Sequence, residues 1–169
     1  DAAPDAVKTL LLGVYSHAMG NPSGDLAETW NAMRANPSIE CCFIWDFVDQ
    51  GLRRCGPNGA FFAYGGDFDE LTNDGPFCDN GVIDPFRNVS AKLVEFAHVH
   101  RNLVVTRSER PGDNPFAGVF ELWNRFLFTR ADACAASWEL VEDGSVTKSG
   151  AFETPAVEPL KRCRFTVPG

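Results

Sequence analysis

Two continuous apolar runs, Thr9 to Tyr15 and Ile39 to Val48, flank one amphipathic segment, and this arrangement constrains the fold more than any other feature. Apolar runs without alternation predict parallel strands covered on both faces. Cys41-Cys42-Phe43-Ile44-Trp45 forms the centre of the second run. Between the runs Leu26, Trp30 and Met33 recur at spacings of four and three, which places them on one stripe of a helix. Ser23 or Asp25 can cap that helix, and Asn36-Pro37 stops it. Strand, helix and strand within residues 9–48 make a βαβ unit with a right-handed crossover.

The segment Asp49 to Pro85 carries Gly-Pro, Asn-Gly, Gly-Gly and Asp-Gly turn signals and reads as one long loop. A loop of that length inside a compact domain is functional or packs against another element. Ser90 to His100 reads as a helix with Ala91, Val94 and Ala97 on one face and Leu93 and Phe96 beside it. From Leu103 the character changes. Leu103–Thr106, Val119–Thr129, Ala135–Val141, Ser145–Phe152 and Arg162–Val167 read as strands, with turns at Pro111–Asn114 and Glu142–Ser145 among them. Short antiparallel strands in succession predict a small β-sandwich of immunoglobulin type, with a domain boundary near Arg101 to Leu103.

Composition removes several classes. The 169 residues are 44% apolar and include 14 Phe, so the chain folds and has a core. A net charge of −8 argues against nucleic acid or an anionic membrane as partner. No apolar stretch approaches the roughly 20 residues of a membrane-spanning helix, so direct membrane insertion is not expected. Asp1-Ala-Ala-Pro-Asp5 has neither a basic n-region nor an apolar h-region, which favours an intracellular soluble location over secretion. Six cysteines include no Cys-x-x-Cys pair and read as reduced, buried thiols.

Four smaller constellations have bland readings. His98-x-His100 lacks an identifiable third ligand, so both imidazoles are expected on the surface. Asp67, Asp69, Glu70 and Asp74 miss the Asp-x-Asp-x-Asp-Gly calcium pattern and read as a solvated loop. Asn88-Val-Ser90 has the form of a glycosylation sequon, a triplet that chance produces often. Ser16 and His17 are adjacent on an extended segment and point apart, so they are no nucleophile-base pair.

The remaining motifs are more specific. They are Val14-Tyr-Ser-His-Ala-Met-Gly-Asn21, Phe43-Ile-Trp-Asp-Phe-Val-Asp-Gln50, Ala63-Tyr-Gly-Gly-Asp-Phe68 and Asn73-Asp-Gly-Pro-Phe-Cys-Asp-Asn-Gly81. Leu122-Trp-Asn-Arg-Phe126 and Trp138-Glu-Leu-Val-Glu-Asp-Gly144 follow in the second half. In order and spacing they resemble the large β-galactosidases of glycoside hydrolase family 2, over nearly the whole chain. The resemblance implies an α+β multi-domain chain. Residues 1–102 would be the C-terminal part of a (β/α)8 TIM barrel, its last two strand-helix units, and residues 103–169 an immunoglobulin-like β-sandwich. It also implies site roles. His17 would hydrogen-bond galactose hydroxyls, Trp45 would be the floor beneath the sugar's apolar face, and Asn80 would bind both sugar and sodium. The main-chain carbonyl of Phe77 would be a second sodium ligand, and Asn73 a secondary magnesium contact. Without the resemblance, Trp45 is a core residue and Asn80-Gly81 an ordinary turn.

The departures from the family pattern carry as much information. Where the family has the Glu that attacks the anomeric carbon, this chain has Val14. Retaining glycosidases need two carboxyl groups about 5–5.5 Å apart, one as nucleophile and one as acid/base. Valine supplies none, and the resemblance places the acid/base and its magnesium site on barrel strands upstream of this chain. Loss of a nucleophile can cost a factor on the order of 10⁶ in rate, or about 8 kcal/mol. The family's Pro-Asp-Arg-x-Pro-His-Pro has become Pro85-Phe-Arg-Asn-Val-Ser-Ala91, keeping only Pro85 and Arg87.

These losses together imply a catalytically inactive β-galactosidase-like module, a pseudoenzyme serving as a structural, scaffolding subunit of a larger multiprotein assembly. It requires no cofactor and retains relic sodium and magnesium sites. A barrel takes about 250 residues and eight strands, and two parallel strands leave open edges. The expected partner is another protein chain that completes or covers the open barrel edge through an apolar interface along Leu10 to Val14, where Val14 has a packing role. Galactosides are a further expected ligand class. Two alternatives stay open: a split β-galactosidase completed by another chain, and a galactose-binding, lectin-like module.

Overall fold

The computed structural model describes residues 9–20, 24–109 and 118–167. Ser23 and the Pro111–Asn114 turn lie outside the described residues. The chain divides into two compact units between His100 and Arg101.

In the first unit β1 (Leu10–His17) and β2 (Ile39–Trp45) pair in parallel, joined by α1 (Leu26–Ala35). Their register runs from Leu10 opposite Ile39 to His17 opposite Trp45, with an irregularity between Leu12 and Ser16 that spans Val14. Asp25 begins α1 without a side-chain cap, in the left-handed region at φ 57°, and its carbonyl accepts the Thr29 N–H at 2.9 Å. The helix stops before Asn36, whose side chain accepts the Ser38 N–H at 3.0 Å. A second helix, α2 (Ala91–His100), covers the same layer. The core is Ala18, Leu26, Val82 and Phe96, with Tyr15, Ile44, Leu93 and Val99 packed on it. The inward stripe of α2 is therefore Leu93, Phe96 and His100 rather than Ala91, Val94 and Ala97. Val94 is 61% exposed.

The segment Asp49 to Pro85 is not one loop. Residues 46–50 run beside 78–83, with Asp46 N–H to Asn80 O at 2.8 Å, Val82 N–H to Asp46 O at 3.1 Å and Gln50 N–H to Cys78 O at 2.9 Å. A parallel bridge joins Val48 to Ile83. Between these lies a hairpin of β3 (Leu52–Gly56) and β4 (Gly59–Ala63), turning at Pro57-Asn58. The Trp45–Asp46 peptide is cis. A 3₁₀ turn, Gly75–Cys78, returns the chain to Asn80.

Coverage on both faces of β1 and β2 does not hold within the described residues. Leu11 is 62%, Val14 53% and Phe43 55% exposed. The physical reason is that among the described residues the two strands form a sheet of their own, with a helical layer on one side and neither outer edge paired. There is no closed barrel among the described residues.

The described residues of the second unit form two antiparallel sheets. One is three-stranded, with β6 (Val119–Asn124) between β5 (Leu103–Arg107) and a last strand at Arg162–Thr166. The other is a hairpin of β7 (Ala136–Glu142) and β8 (Ser145–Phe152), turning through Asp143 at φ 50° and Gly144 at φ 79°. Positive φ at both central residues is what a two-residue type I′ hairpin turn requires. The last strand, Arg162–Thr166, is β9. β6 ends at Asn124 rather than Thr129, because the fully buried Asn124 amide donates to the Thr129 and Val157 carbonyls at 2.9 Å each. Leu122, Ala131 and Val157 form this unit's core, with Leu103, Cys163 and Phe165 against it. No helix among the described residues is long and apolar enough to cross a membrane.

Candidate functional site

The C-terminal ends of parallel strands are where an α/β architecture collects functional groups. His17 and Trp45 stand opposite each other there, and the Ala18 N–H donates to the Trp45 carbonyl at 3.0 Å. Asp46, the residue after Trp45, donates its N–H to the Asn80 carbonyl. The Asn80 side-chain amide donates to the Phe77 carbonyl at 2.9 Å, and the Phe77 ring lies 5.6 Å from the His17 ring. Four of the five residues singled out in the sequence, His17, Trp45, Phe77 and Asn80, thus form one linked cluster.

Asn73 belongs to the preceding loop. Its amide donates to the Glu70 carbonyl at 3.2 Å and accepts the Gly75 N–H at 3.0 Å, so both ends hold local turns. In the same loop Glu70 accepts the Gly66 and Phe68 N–H groups at 2.7 and 2.9 Å. The Gly66 bond foremost holds the Glu70 carboxyl below its ordinary range. The Glu70 and Asp67 carboxylates thus cap their own backbone, and among the described residues there is no group of three metal-ligating side chains.

Asn80 is 2% exposed, and its side-chain oxygen is buried with no donor beside it. An orphaned amide oxygen is the neutral oxygen chemistry a hard cation takes. The Asn80 side-chain oxygen is open to such an ion, while the Phe77 carbonyl already accepts the Asn80 amide and both ends of the Asn73 amide hold local turns.

A frame of ionic and backbone contacts fixes the cluster. Lys92 on α2 donates from Nζ to the Ala18 carbonyl at 2.8 Å and the Gly81 carbonyl at 2.5 Å. One ammonium thereby ties the residue after His17 to the residue after Asn80. Asp49 accepts the Gly81 N–H at 2.6 Å. Asp46 accepts the Val48 N–H at 2.8 Å and the Gln50 amide at 2.5 Å. Burial, with the nearby Asp49 charge, pushes the Asp79 carboxyl above its ordinary value. The Tyr15 hydroxyl bonds His100 Nε2, while His100 Nδ1 donates to the Phe96 carbonyl at 2.8 Å and the ring lies 4.3 Å from Trp30. Burial raises the Tyr15 phenol well above its ordinary range.

His100 is therefore a half-buried clamp between β1, α1 and α2, and only His98 is exposed as expected. All six cysteines are free, but Cys55 is exposed and the others are half-buried rather than buried. In the sequon, the Asn88 amide donates to Asp84 at 2.7 Å and the Ser90 hydroxyl donates to the Val82 carbonyl. Lys92, Asp49 and the Tyr15–His100 pair escaped the sequence reading, since nothing in their spacing marks them. Only the fold brings their partners close. With an imidazole, an exposed indole and an amide side by side, the cluster offers binding chemistry. Val14, three residues before His17, adds no acid or nucleophile.

Residues 3–105 match the family model for glycosyl hydrolases family 2, TIM barrel domain, and residues 120–169 match that for β-galactosidase, domain 4. The β-galactosidase of Vibrio vulnificus (strain CMCP6) is 40% identical over 165 residues, covering 97% of this chain and 16% of the relative. β-Galactosidase 2 of Enterobacter cloacae is 36% identical over 168 residues, covering 98% of this chain and 16% of its own length. The β-galactosidase of Priestia megaterium is 34% identical over 145 residues, covering 85% and 14%. The chain thus spans about a sixth of the length of these curated relatives. The barrel-domain match takes in more than half of the chain, which therefore belongs to glycosyl hydrolase family 2.

Proposed function

We propose that the chain is a catalytically inactive β-galactosidase-like module that works as a structural subunit, presenting one sugar-facing wall within a larger assembly. The observation that carries this reading is the state of β1: an apolar strand with an open edge, bearing the 53% exposed Val14 where the family motif has its nucleophile. Leu11 and Phe43 extend the open apolar surface, and apolar area of this kind contributes about 25 cal/mol per Å² when covered. Further barrel strands are the occupant that satisfies both the exposed side chains and the strand edge left unpaired among the described residues. Asn80 and the Phe77 carbonyl would hold a sodium ion at the rim of that wall, and no cofactor is needed. The test is native isolation and sizing. The chain should run within a complex well above its own 18.5 kDa. A folded, soluble monomer carrying an intact β1 contradicts the reading.

Two other readings have support. A split β-galactosidase completed by another chain is favoured by the named activity of the relatives, and would hydrolyse a chromogenic galactoside. A lectin-like galactose binder is favoured by Trp45, half-exposed opposite His17. Galactose would then shift tryptophan fluorescence of the native complex, and Trp45→Ala would abolish the shift.

A further inference from the structure

The chain contains two Asn-Gly dipeptides, Asn58-Gly59 and Asn80-Gly81, with identical intrinsic chemistry and opposite surroundings. In such a pair the glycine amide nitrogen can attack the asparagine side-chain carbonyl carbon, because no Cβ on the glycine obstructs the approach. The reaction needs a free side-chain amide, a glycine nitrogen able to move toward it, and water.

Asn80-Gly81 meets none of these needs. Asn80 is 2% exposed and its amide nitrogen donates to the Phe77 carbonyl at 2.9 Å. The would-be nucleophile, Gly81 N, donates to Asp49 at 2.6 Å, and the Gly81 carbonyl is held by Lys92 at 2.5 Å. The Gly81 backbone is also wedged against the Val48–Asp49 peptide, leaving no room for ring closure. Asn58-Gly59 is the reverse. Asn58 and both its neighbours are exposed at the tip of the β3–β4 hairpin. Gly59 sits at φ 110°, with nothing within 4 Å of where a Cβ would be. A hairpin tip also opens locally at far lower free energy than a buried ladder.

We propose that Asn58 is a site of spontaneous deamidation, and that the chemically identical Asn80 is protected by the fold. Gly59 N forms a bond to Asn58 Cγ, the Cγ–amide bond breaks, and ammonia leaves with the proton that Gly59 N loses. Water then opens the five-membered imide at either carbonyl, giving Asp or isoaspartate at position 58. No oxidant or reductant takes part. Each event adds a negative charge at the hairpin tip, and the isoaspartate product inserts an extra methylene into the two-residue turn.

The test incubates the full chain, in its native complex, at mildly alkaline pH and follows both peptides by mass spectrometry, with a parallel incubation in guanidinium. In native buffer deamidation at Asn58 should outpace that at Asn80 by about tenfold or more, the protection a buried, hydrogen-bonded segment gives. In guanidinium the two rates should converge. Asn58→Gln should remove the more acidic species seen on isoelectric focusing. Equal native rates at the two sites, or a native Asn58 rate far below its denatured rate, would overturn the proposal.

Discussion

A methyl group placed on the Cα of Gly81 would sit 2.1 Å from the main-chain nitrogen of Asp49. That approach lets Asp49 accept the Gly81 N–H and seats Asn80 under the cluster formed by His17, Trp45 and Phe77. Because the obstacle is backbone, no rotamer change relieves it. Gly81→Ala should destabilise the first unit by about 3 kcal/mol or more, as overpacking against fixed atoms does. Urea unfolding followed by tryptophan fluorescence measures this, and an unchanged midpoint would contradict the packing.

Lys92 joins the Ala18 and Gly81 carbonyls through one ammonium group. Hydrogen bonds to a charged group contribute about 1.5–3 kcal/mol net. Lys92→Met keeps the aliphatic stem and removes both bonds, so a loss of about 2 kcal/mol is expected. The change should also loosen exchange protection of the Ala18 and Val82 amides. A variant as stable and as protected as the parent would show the contact to be idle.

Asp79 and Glu70 predict opposite pH behaviour. Asp79 has its carboxyl raised in the fold, by burial first and the Asp49 charge second. The fold thus binds that proton more tightly than the unfolded chain does. Stability is greatest with Asp79 protonated and declines as pH rises past its ordinary value of 3.8. Asp79→Asn should therefore stabilise the chain at pH 7, an advantage that fades below that value.

Glu70 has its carboxyl lowered, chiefly by the Gly66 N–H. Its stabilisation is present above the ordinary value of 4.5 and is lost as pH falls through the lower, folded value. Glu70→Gln should weaken the Tyr64–Gly75 loop at pH 7 and have little effect in acid. Limited proteolysis of this loop at the two pH values reads the difference. Matching cleavage rates for Gln and Glu at neutral pH would count against the loop-holding role.

How far the sequence carried the structure depends on where each element's neighbours come from. The βαβ path of β1, α1 and β2 was legible because its periodicity is local to residues 9–48. The β3–β4 hairpin was not. Its turn signal, Pro57-Asn58-Gly59, was visible, but Arg53 and Arg54 break the alternation that would have marked a strand. His98 and His100 were read alike, yet two residues along a helix turn through about 200°, so one ring faces outward and the other meets Tyr15 and Trp30. The burial of β1 and β2 was misjudged for a different reason. An apolar run reports what a strand is suited to contact, and those contacts are not among the described residues. Within the candidate site, His17, Phe77 and Asn80 come together because the chain folds 78–83 beside 46–50, while both ends of the Asn73 amide hold its own loop.

On the proposed reading the module sits in a β-galactosidase-type setting without performing hydrolysis. The most direct measurement is turnover of a chromogenic β-galactoside by the native complex isolated through this chain, at high protein concentration and with sodium and magnesium present. The account predicts no product above buffer. Turnover that rises with the complex and is lost on Trp45→Ala would contradict it, and would place a working nucleophile in this assembly despite Val14.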